Sequence, residues 1–120
     1  MTIRCVIVDD SERFRAGARR LLSTQGIAVV ATAADSREAL RAVAEQEPDV
    51  VLVDVGLGAE SGFDLAPRIR HGAVIMVSSL APEDLAELLE QSPAIGYLPK
   101  DQLSARAITY LLRTTRPPGT

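Results

Sequence analysis

Four short apolar runs, each leading into polar residues, limit the folds open to this chain more than any other feature. They occupy residues 6–8, 50–53, 74–77 and 94–98. Continuous apolar runs of this length are typical of strands that are buried on both faces of a parallel sheet. Because the carboxyl ends of parallel strands meet at one edge of the sheet, the polar residues after these runs are expected to converge there.

Three acids, a hydroxyl and an ammonium would meet at this edge: Asp9, Asp10, Asp54, Ser78 and Lys100. Clustered carboxylates repel one another, and a hard divalent cation with oxygen ligands is the usual relief. Asp9, Asp10 and Asp54 therefore predict a Mg²⁺ site. A carboxylate beside such an ion and a lysine stays ionised, so Asp54 is a competent nucleophile toward a phosphoryl group. Ser78 and Lys100 would bind the phosphoryl oxygens as charge builds on them.

Helical segments alternate with strands along the chain. The strands are predicted at residues 3–8, 27–33, 50–53, 73–77 and 94–98. Segments that predict helices follow them, at residues 11–23, 35–47, 63–69, 82–92 and 101–113. The alternation predicts an α/β fold, a (βα)₅ doubly wound domain with a parallel five-stranded sheet, because each parallel crossover must be right-handed.

The helices carry more detailed predictions. Side chains expected to face the core are Phe14, Ala18, Leu21 and Leu22 in the first helix, Ala39, Leu40, Val43 and Ala44 in the second, and Leu85, Leu88 and Leu89 in the fourth. Asp101 is expected to cap the fifth helix. The glycine-rich segment 56–62 predicts a loop.

Composition fits a single domain. The chain has 120 residues, 47% hydrophobic residues and a formal net charge of -3, with no indication of an electrostatic preference for nucleic acid. Cys5 is the only cysteine, which excludes an intrachain disulfide. We find neither a signal-peptide pattern nor an apolar run that could span a bilayer, which predicts a cytoplasmic protein without a membrane partner. Residues 1–113 are predicted to form the domain, and the proline-containing residues 114–120 a linker or disordered tail.

Taken together, these residues resemble the receiver domain of two-component response regulators. That family carries an acidic pair, a phosphoacceptor aspartate, a switch hydroxyl, a switch aromatic and a lysine at successive strand ends. The matching residues are Asp9 with Asp10, Asp54, Ser78, Tyr97 and Lys100, in that order. Residues 96–101, Gly-Tyr-Leu-Pro-Lys-Asp, are similar to the NarL/FixJ subclass. The fold that this resemblance implies is the flavodoxin-like sheet of CheY-like proteins.

A phosphorylation switch is the function that the resemblance implies. A sensor histidine kinase would transfer a phosphoryl group from its phosphohistidine to Asp54 in a Mg²⁺-dependent reaction, with the backbone carbonyl of Gly56 as a further metal ligand. Ser78 and Lys100 would bind the phosphoryl group, and Tyr97 would carry the conformational change. The domain would not be an enzyme in the ordinary sense, because it would catalyse only its own phosphorylation and dephosphorylation.

Four further positions near the expected site concern the rate of dephosphorylation or depart from the pattern of the family. By resemblance, Gly56 and Leu80 border the path of the water that hydrolyses the phosphoryl group, so they would modulate dephosphorylation. Gly58 and Asp101 stand where many receivers have a proline. These two departures leave the five matched functional positions intact.

The switch is expected to act either by forming a homodimer or by controlling another module of the protein. The resemblance implies a phosphorylation-dependent homodimer, formed through the fourth and fifth helices or through the first and fifth. Members of the NarL/FixJ subclass usually carry a C-terminal helix-turn-helix, so DNA would be contacted only through that module, which is absent from these 120 residues. The chain either stands alone or was cut at a linker, and Pro117-Pro118-Gly119 favours the cut.

Two rival functions compete with this interpretation. The first is a pseudo-receiver that binds partners without being phosphorylated, which the intact Asp9, Asp10, Asp54 and Lys100 argue against. The second is a flavodoxin-like cofactor domain, which needs a loop rich in glycine, serine and threonine after the first strand to surround a phosphate. Two aspartates stand there instead, and no Gly-x-x-x-x-Gly-Lys loop for a nucleotide is present.

Overall fold

The computed structural model of the protein describes residues 2–115. Its strands are β1 (Arg4–Val8), β2 (Ala28–Ala33), β3 (Val50–Asp54), β4 (Gly56–Leu57), β5 (Glu60–Ser61), β6 (Ala73–Ser78) and β7 (Gly96–Pro99). Five of them form one parallel sheet in the order β2-β1-β3-β6-β7. This is the predicted doubly wound sheet, and its order reverses between β1 and β3, where such folds bind ligands.

Helices cover both faces of this sheet. They are α1 (Glu12–Thr24), α2 (Ser36–Gln46), α3 (Gly62–Leu65), α4 (Ala86–Gln91) and α5 (Ala105–Thr114). Short 3₁₀ turns lie at Ala66–Arg68, Pro82–Asp84 and Lys100–Gln102. No helix within residues 2–115 combines the length and the apolar character needed to cross a membrane.

The core has two layers because successive strand residues point to opposite faces of the sheet. One layer lies under α1 and α5 and contains Cys5, Ile7, Leu52, Ile75, Leu22 and Ile108. The other lies under α2 and α3 and contains Val6, Val8, Val51, Val53, Ala39, Val43 and Leu65. The aliphatic core makes the sheet a rigid support, which fixes the residues at its carboxyl edge relative to one another.

Helix starts follow the expected local chemistry. The side chain of Ser11 accepts a hydrogen bond from the Phe14 amide and caps α1. The capping arrangement predicted at the start of α2 is confirmed, because Asp35 accepts from the amide of Glu38 and the Glu38 carboxylate accepts from the amide of Ala34. Both helices therefore begin directly after a strand end, which keeps the intervening turns short.

Three side chains predicted to be buried are exposed. Leu21 is 39% exposed because it directly precedes the buried Leu22, and adjacent helix residues point about 100° apart. Ala44 is exposed beside the buried Val43 for the same reason. Leu88 is 49% exposed because a 3₁₀ turn precedes α4 and changes the angular spacing of the side chains.

Three predicted element boundaries were also wrong. Residues 56–62 are not wholly loop, because β4 and β5 pair antiparallel across a two-residue turn with Gly58 at φ 65°. The helix predicted at residues 63–69 is instead α3 followed by a 3₁₀ turn that accommodates Pro67. The cap of α5 is Ser104, whose hydroxyl accepts from the Ala107 amide, whereas Asp101 lies in a 3₁₀ turn.

The predicted end of the domain stays a prediction. Helix α5 continues to Thr114, one residue past the expected boundary at 113, and Thr115 follows as a turn. The remainder of the predicted tail, residues 116–120, lies outside the described residues.

Candidate functional site

Asp54 is the last residue of β3, at the carboxyl edge of the sheet. Its strand pairs with β6, so that Asp54 lies opposite Val77, and the next amide, that of Val55, donates to the Val77 carbonyl at 3.0 Å. The carboxylate is buried, with a side chain that is only 12% exposed. Four apolar residues of β3 thus carry an acid to a point where solvent has little access.

Asp9 follows β1 and lies beside Asp54 because the two strands are neighbours. Its amide donates to the Ala33 carbonyl at 3.0 Å, and its Oδ1 accepts from the Ser11 amide at 2.8 Å. These contacts fix a side chain that is 1% exposed. Asp10, one residue further along, is exposed to solvent. The acidic pair therefore has one buried member and one exposed member.

The three acids of this site form a cluster that could hold a metal ion. Carboxylate oxygens of Asp9, Asp10 and Asp54 all lie within 4.8 Å of one another. Within the part of the chain that the structure describes, Asp9 Oδ2 is buried without a hydrogen-bond partner. Carboxylates that lie this close repel one another, and a hard divalent cation would relieve the repulsion. The donor set therefore fits Mg²⁺, which prefers oxygen ligands and usually keeps several waters.

Lys100 brings a positive charge to the acids. Its Nζ lies 2.8 Å from Asp9 Oδ2 and 3.5 Å from Asp54 Oδ2. The contact with Asp9 is a short ion pair between a buried carboxylate and a partly buried ammonium. Partial burial of Lys100 disfavours its charged form, but the two carboxylates outweigh this, so the pKa of Lys100 is raised.

Charge and burial also set the protonation of Asp54. Burial, and after it the negative charge of Asp9, raise the pKa of Asp54 from 3.8 to about 6. Lys100 and the backbone of Gly56 act in the opposite direction. Without a metal ion, Asp54 is therefore a carboxyl group that titrates close to neutral pH, which is a common property of functional sites.

Ser78 is the last residue of β6, and Tyr97 lies within β7, the next strand of the sheet. Ser78 is buried at the end of β6, and its hydroxyl accepts from the Leu80 amide at 3.0 Å. Tyr97 of β7 is half-buried, and its hydroxyl donates to the carbonyls of Leu80 and, at 3.3 Å, Ser78. The side chain of Leu80 is 51% exposed. Tyr97 thus holds the backbone of the loop that follows Ser78.

The hairpin formed by β4 and β5 borders the acids. A β-carbon on Gly58 would lie 3.6 Å from Asp10 Oδ2, so the turn packs beside that carboxylate. Gly56, expected to offer a carbonyl to the metal, is exposed in β4. At the far side of the hairpin, the Glu60 carboxylate accepts from the Ser36 amide at 2.9 Å and ties the hairpin to the start of α2. The position of Gly56 therefore depends on a short, anchored hairpin.

Sequence reasoning missed three residues that support the site. Arg15 of α1 is the first, because its guanidinium donates to the Asp9 carbonyl at 2.7 Å. The ring centroid of Phe14 lies 4.3 Å from Lys100 Nζ. Gly62 packs against the backbone of Asp54. The sequence did offer a signal for Gly62, because a glycine stands directly before the predicted helix 63–69. The contact between Phe14 and Lys100 joins residues that are too distant in sequence to be predicted.

Comparison with known proteins agrees with this geometry. A family model described as "Response regulator receiver domain" matches residues 5–112. The transcriptional regulatory protein DegU of Brevibacillus brevis is 33% identical over 104 residues, which cover 82% of this chain and 44% of DegU. The chain spans about half or less of the length of the curated relatives it matches.

Solved structures show the same relationship. The signal receiver domain of the putative response regulator NarL from Mycobacterium tuberculosis superposes with a TM-score of 0.81 at 29% identity, covering 94% of this chain and 98% of that one. A LuxR-family two-component response regulator from Aurantimonas sp. SI85-9A1 gives a TM-score of 0.83 at 31% identity, covering 94% and 86%. With the sheet order and the residues at its edge, these matches show that the chain belongs to the response regulator receiver domain family.

Proposed function

We propose that this receiver domain accepts a phosphoryl group on Asp54 in a reaction that depends on Mg²⁺. The observation that carries the proposal is the grouping of a buried Asp54 with two further acids and the Lys100 ammonium at the switch point of the sheet. In this setting Asp54 would act as the nucleophile, and the Lys100 ammonium and a bound Mg²⁺ would compensate the negative charge.

The proposed metal ligands are Asp9, Asp10, Asp54 and the backbone carbonyl of Gly56. The three clustered carboxylates support this set, because a bound cation would relieve their mutual repulsion. When bound, Mg²⁺ would neutralise charge on the acids and on the phosphoryl oxygens. Bound Mg²⁺ would also favour the ionised form of Asp54, whereas burial without the metal favours the protonated form.

In the proposed transfer, a carboxylate oxygen of Asp54 attacks the phosphorus of the donor. The bond from phosphorus to the leaving group breaks, a P–N bond for a phosphohistidine, and a mixed anhydride forms on Asp54. Lys100 and the Ser78 hydroxyl would bind the phosphoryl oxygens of the product. The Ser78 hydroxyl, which now accepts from the Leu80 amide, would donate its own hydrogen to a phosphoryl oxygen, and moving inward to do so would weaken the bond from Leu80.

An inward movement of Ser78 would change the hydrogen bonds that Tyr97 makes. In the present state the Tyr97 hydroxyl donates to the carbonyls of Leu80 and Ser78, so any movement of this loop alters the environment of the ring. We propose Tyr97 as the switch aromatic that transmits the change to the face made by α4, β7 and α5. A loop with two alternative sets of hydrogen bonds is a two-state element that a charge change can bias.

A sensor histidine kinase is the proposed phosphoryl donor, and a phosphorylation-dependent homodimer is one proposed output. DNA binding would come only from a C-terminal helix-turn-helix module, and the relative DegU carries the name of a transcriptional regulatory protein. The domain itself would catalyse nothing beyond its own phosphorylation and dephosphorylation, in a cytoplasmic setting.

Intact mass spectrometry after incubation with acetyl phosphate tests the proposal. With Mg²⁺, wild type should gain the mass of one phosphoryl group, and with excess EDTA it should gain none. The Asp54→Asn variant should gain none in either condition. Wild type that binds Mg²⁺ but stays unmodified would favour the rival function, a pseudo-receiver that is not phosphorylated.

A further inference from the structure

Lys100 is enclosed by two kinds of group. Two carboxylates lie on one side, with Nζ 2.8 Å from Asp9 Oδ2 and 3.5 Å from Asp54 Oδ2. The ring of Phe14, from α1, lies against the ammonium with its centroid 4.3 Å from Nζ. The Lys100 side chain is only 24% exposed. The ring therefore takes the place of water molecules that would solvate an exposed ammonium.

An aromatic ring differs from an aliphatic side chain in how it treats that ammonium. The face of the ring carries partial negative charge and attracts a cation, whereas a leucine would only exclude water. Lys100 has a long, flexible stem, so a further contact at its ammonium limits where its charge can be. The two ion pairs draw the ammonium toward the acids, and the ring face of Phe14 adds an attraction from a third group.

We propose that Phe14 is a positioning residue for phosphoryl transfer, whose ring face holds the Lys100 ammonium within reach of the Asp54 carboxylate. The inference rests on the proposed function, because Lys100 is useful there as the group that meets charge developing on the transferred phosphoryl oxygens. Weakening the attraction between ring and ammonium should slow transfer without changing which residue is modified.

Phe14 also packs against the core layer beneath α1, so simple truncation would mix two effects. Fluorinated phenylalanines separate them, because added fluorine weakens the negative face of the ring while nearly preserving its shape. We would place phenylalanine with zero, one, two, three and five fluorines at position 14 and measure the rate constant of phosphorylation by acetyl phosphate with Mg²⁺. Phe63, the only other phenylalanine of the chain, is the matched control position.

At position 14, the logarithm of the rate constant should fall steadily with fluorine number, to a total of about threefold to tenfold. At position 63 the same series should leave the rate constant unchanged. Phe14→Tyr, which keeps the ring face, should react nearly as fast as wild type, and Phe14→Leu should react as slowly as the most fluorinated protein. Urea unfolding of each variant verifies that the fold is intact.

Two negative results have different meanings. If wild type is phosphorylated and the series at position 14 is flat, the role of Phe14 is overturned and the proposed function stands. If wild type gains no phosphoryl group, the proposed function fails, and the role of Phe14 in transfer fails with it. A slope of equal size at positions 14 and 63 would also overturn the inference, because it would show a general effect of fluorination.

Discussion

Gly62 packs against the backbone carbonyl of Asp54 so closely that no side chain fits between them. A β-carbon on Gly62 would lie 2.9 Å from the carbonyl carbon of Asp54 and 3.0 Å from Cγ1 of Val53, and closer still to the Asp54 oxygen. The amide of Gly62 also donates to the Val55 carbonyl at 2.7 Å. The start of α3 is thereby pressed onto the strand end that carries the candidate phosphoacceptor.

Gly62→Ala should therefore destabilise the protein by about 2–3 kcal/mol, since the methyl group meets fixed backbone rather than a mobile side chain. Urea unfolding measures the change. Gly17→Ala is the matched control, because nothing lies within 4 Å of its added methyl group in α1. That variant should gain about 0.5–1 kcal/mol from improved helix propensity. Equal effects at the two positions would contradict the close approach.

The stability of the metal-free protein should depend on the ionisation of Asp54. Because the pKa of Asp54 is raised to about 6 in the folded state from 3.8, its ionised form costs stability above pH 6. The cost disappears as pH falls from 6 to about 4, where folded Asp54 is protonated. Asp54→Asn should thus be more stable than wild type at pH 7.5, by on the order of 2 kcal/mol, with a gain that shrinks toward pH 4.

Chemical unfolding at several pH values in EDTA measures that difference. Asp64→Asn, at an exposed aspartate of α3, is the control for removing one negative charge. A gain for Asp54→Asn that is the same at pH 4 and pH 7.5 would show that the buried carboxyl does not titrate in this range.

Leu80 should set the lifetime of the phosphorylated state. Its exposed side chain offers no hydrogen bond to an attacking water, and Gly56 has no side chain to do so. Leu80→Glu should speed dephosphorylation about threefold to tenfold, the effect of one added hydrogen bond of roughly 1 kcal/mol. Loss of phosphorylated protein is followed by intact mass after the donor is removed.

Leu88→Glu is the matched control, since Leu88 is similarly exposed but lies on α4. This variant should dephosphorylate like wild type. Faster loss in both variants would point to added negative charge on this side of the domain, and slower loss in Leu80→Glu would contradict the proposed role.

Tyr97 should couple phosphorylation to pairing of two copies. A beryllofluoride mimic is expected to shift wild type from monomer toward dimer in sedimentation velocity, and Tyr97→Ala should blunt this shift while Asp54 phosphorylation continues. The Tyr97→Phe variant keeps the ring but removes the hydroxyl that donates to the Leu80 carbonyl, so it distinguishes the effect of the ring from that of the hydroxyl. An equal shift in wild type and Tyr97→Ala would remove Tyr97 from the mechanism.

The sequence was sufficient to predict the sheet and the residues at its edge for one physical reason. Buried parallel strands are continuous apolar runs, and the polar residue that ends each run marks the carboxyl edge. The grouping of Asp9, Asp10, Asp54 and Lys100 follows from that rule together with the right-handed crossovers. The end of a buried strand can thus be recognised from the local sequence, and parallel strands place their ends at the same edge of the sheet.

The errors concern features that depend on neighbours. Leu88 fits a buried stripe, but the 3₁₀ turn before α4 changes which residues face the sheet. Asp101 is a suitable capping residue, yet α5 starts only after the backbone leaves the edge of β7, where Ser104 takes that role. Contacts such as Phe14 with Lys100 depend on how α1 lies over the sheet, which residue spacing does not specify.

The most direct test of the account is the identity of the modified residue. Borohydride reduces an acyl phosphate to an alcohol and so converts a phosphorylated aspartate to homoserine. After incubation of wild type with Mg²⁺ and acetyl phosphate, reduction and peptide sequencing by tandem mass spectrometry should find homoserine at position 54 and unmodified aspartate at positions 9 and 10. Homoserine at position 9 or 10, or none at position 54 in a protein that has gained the phosphoryl mass, would contradict the account.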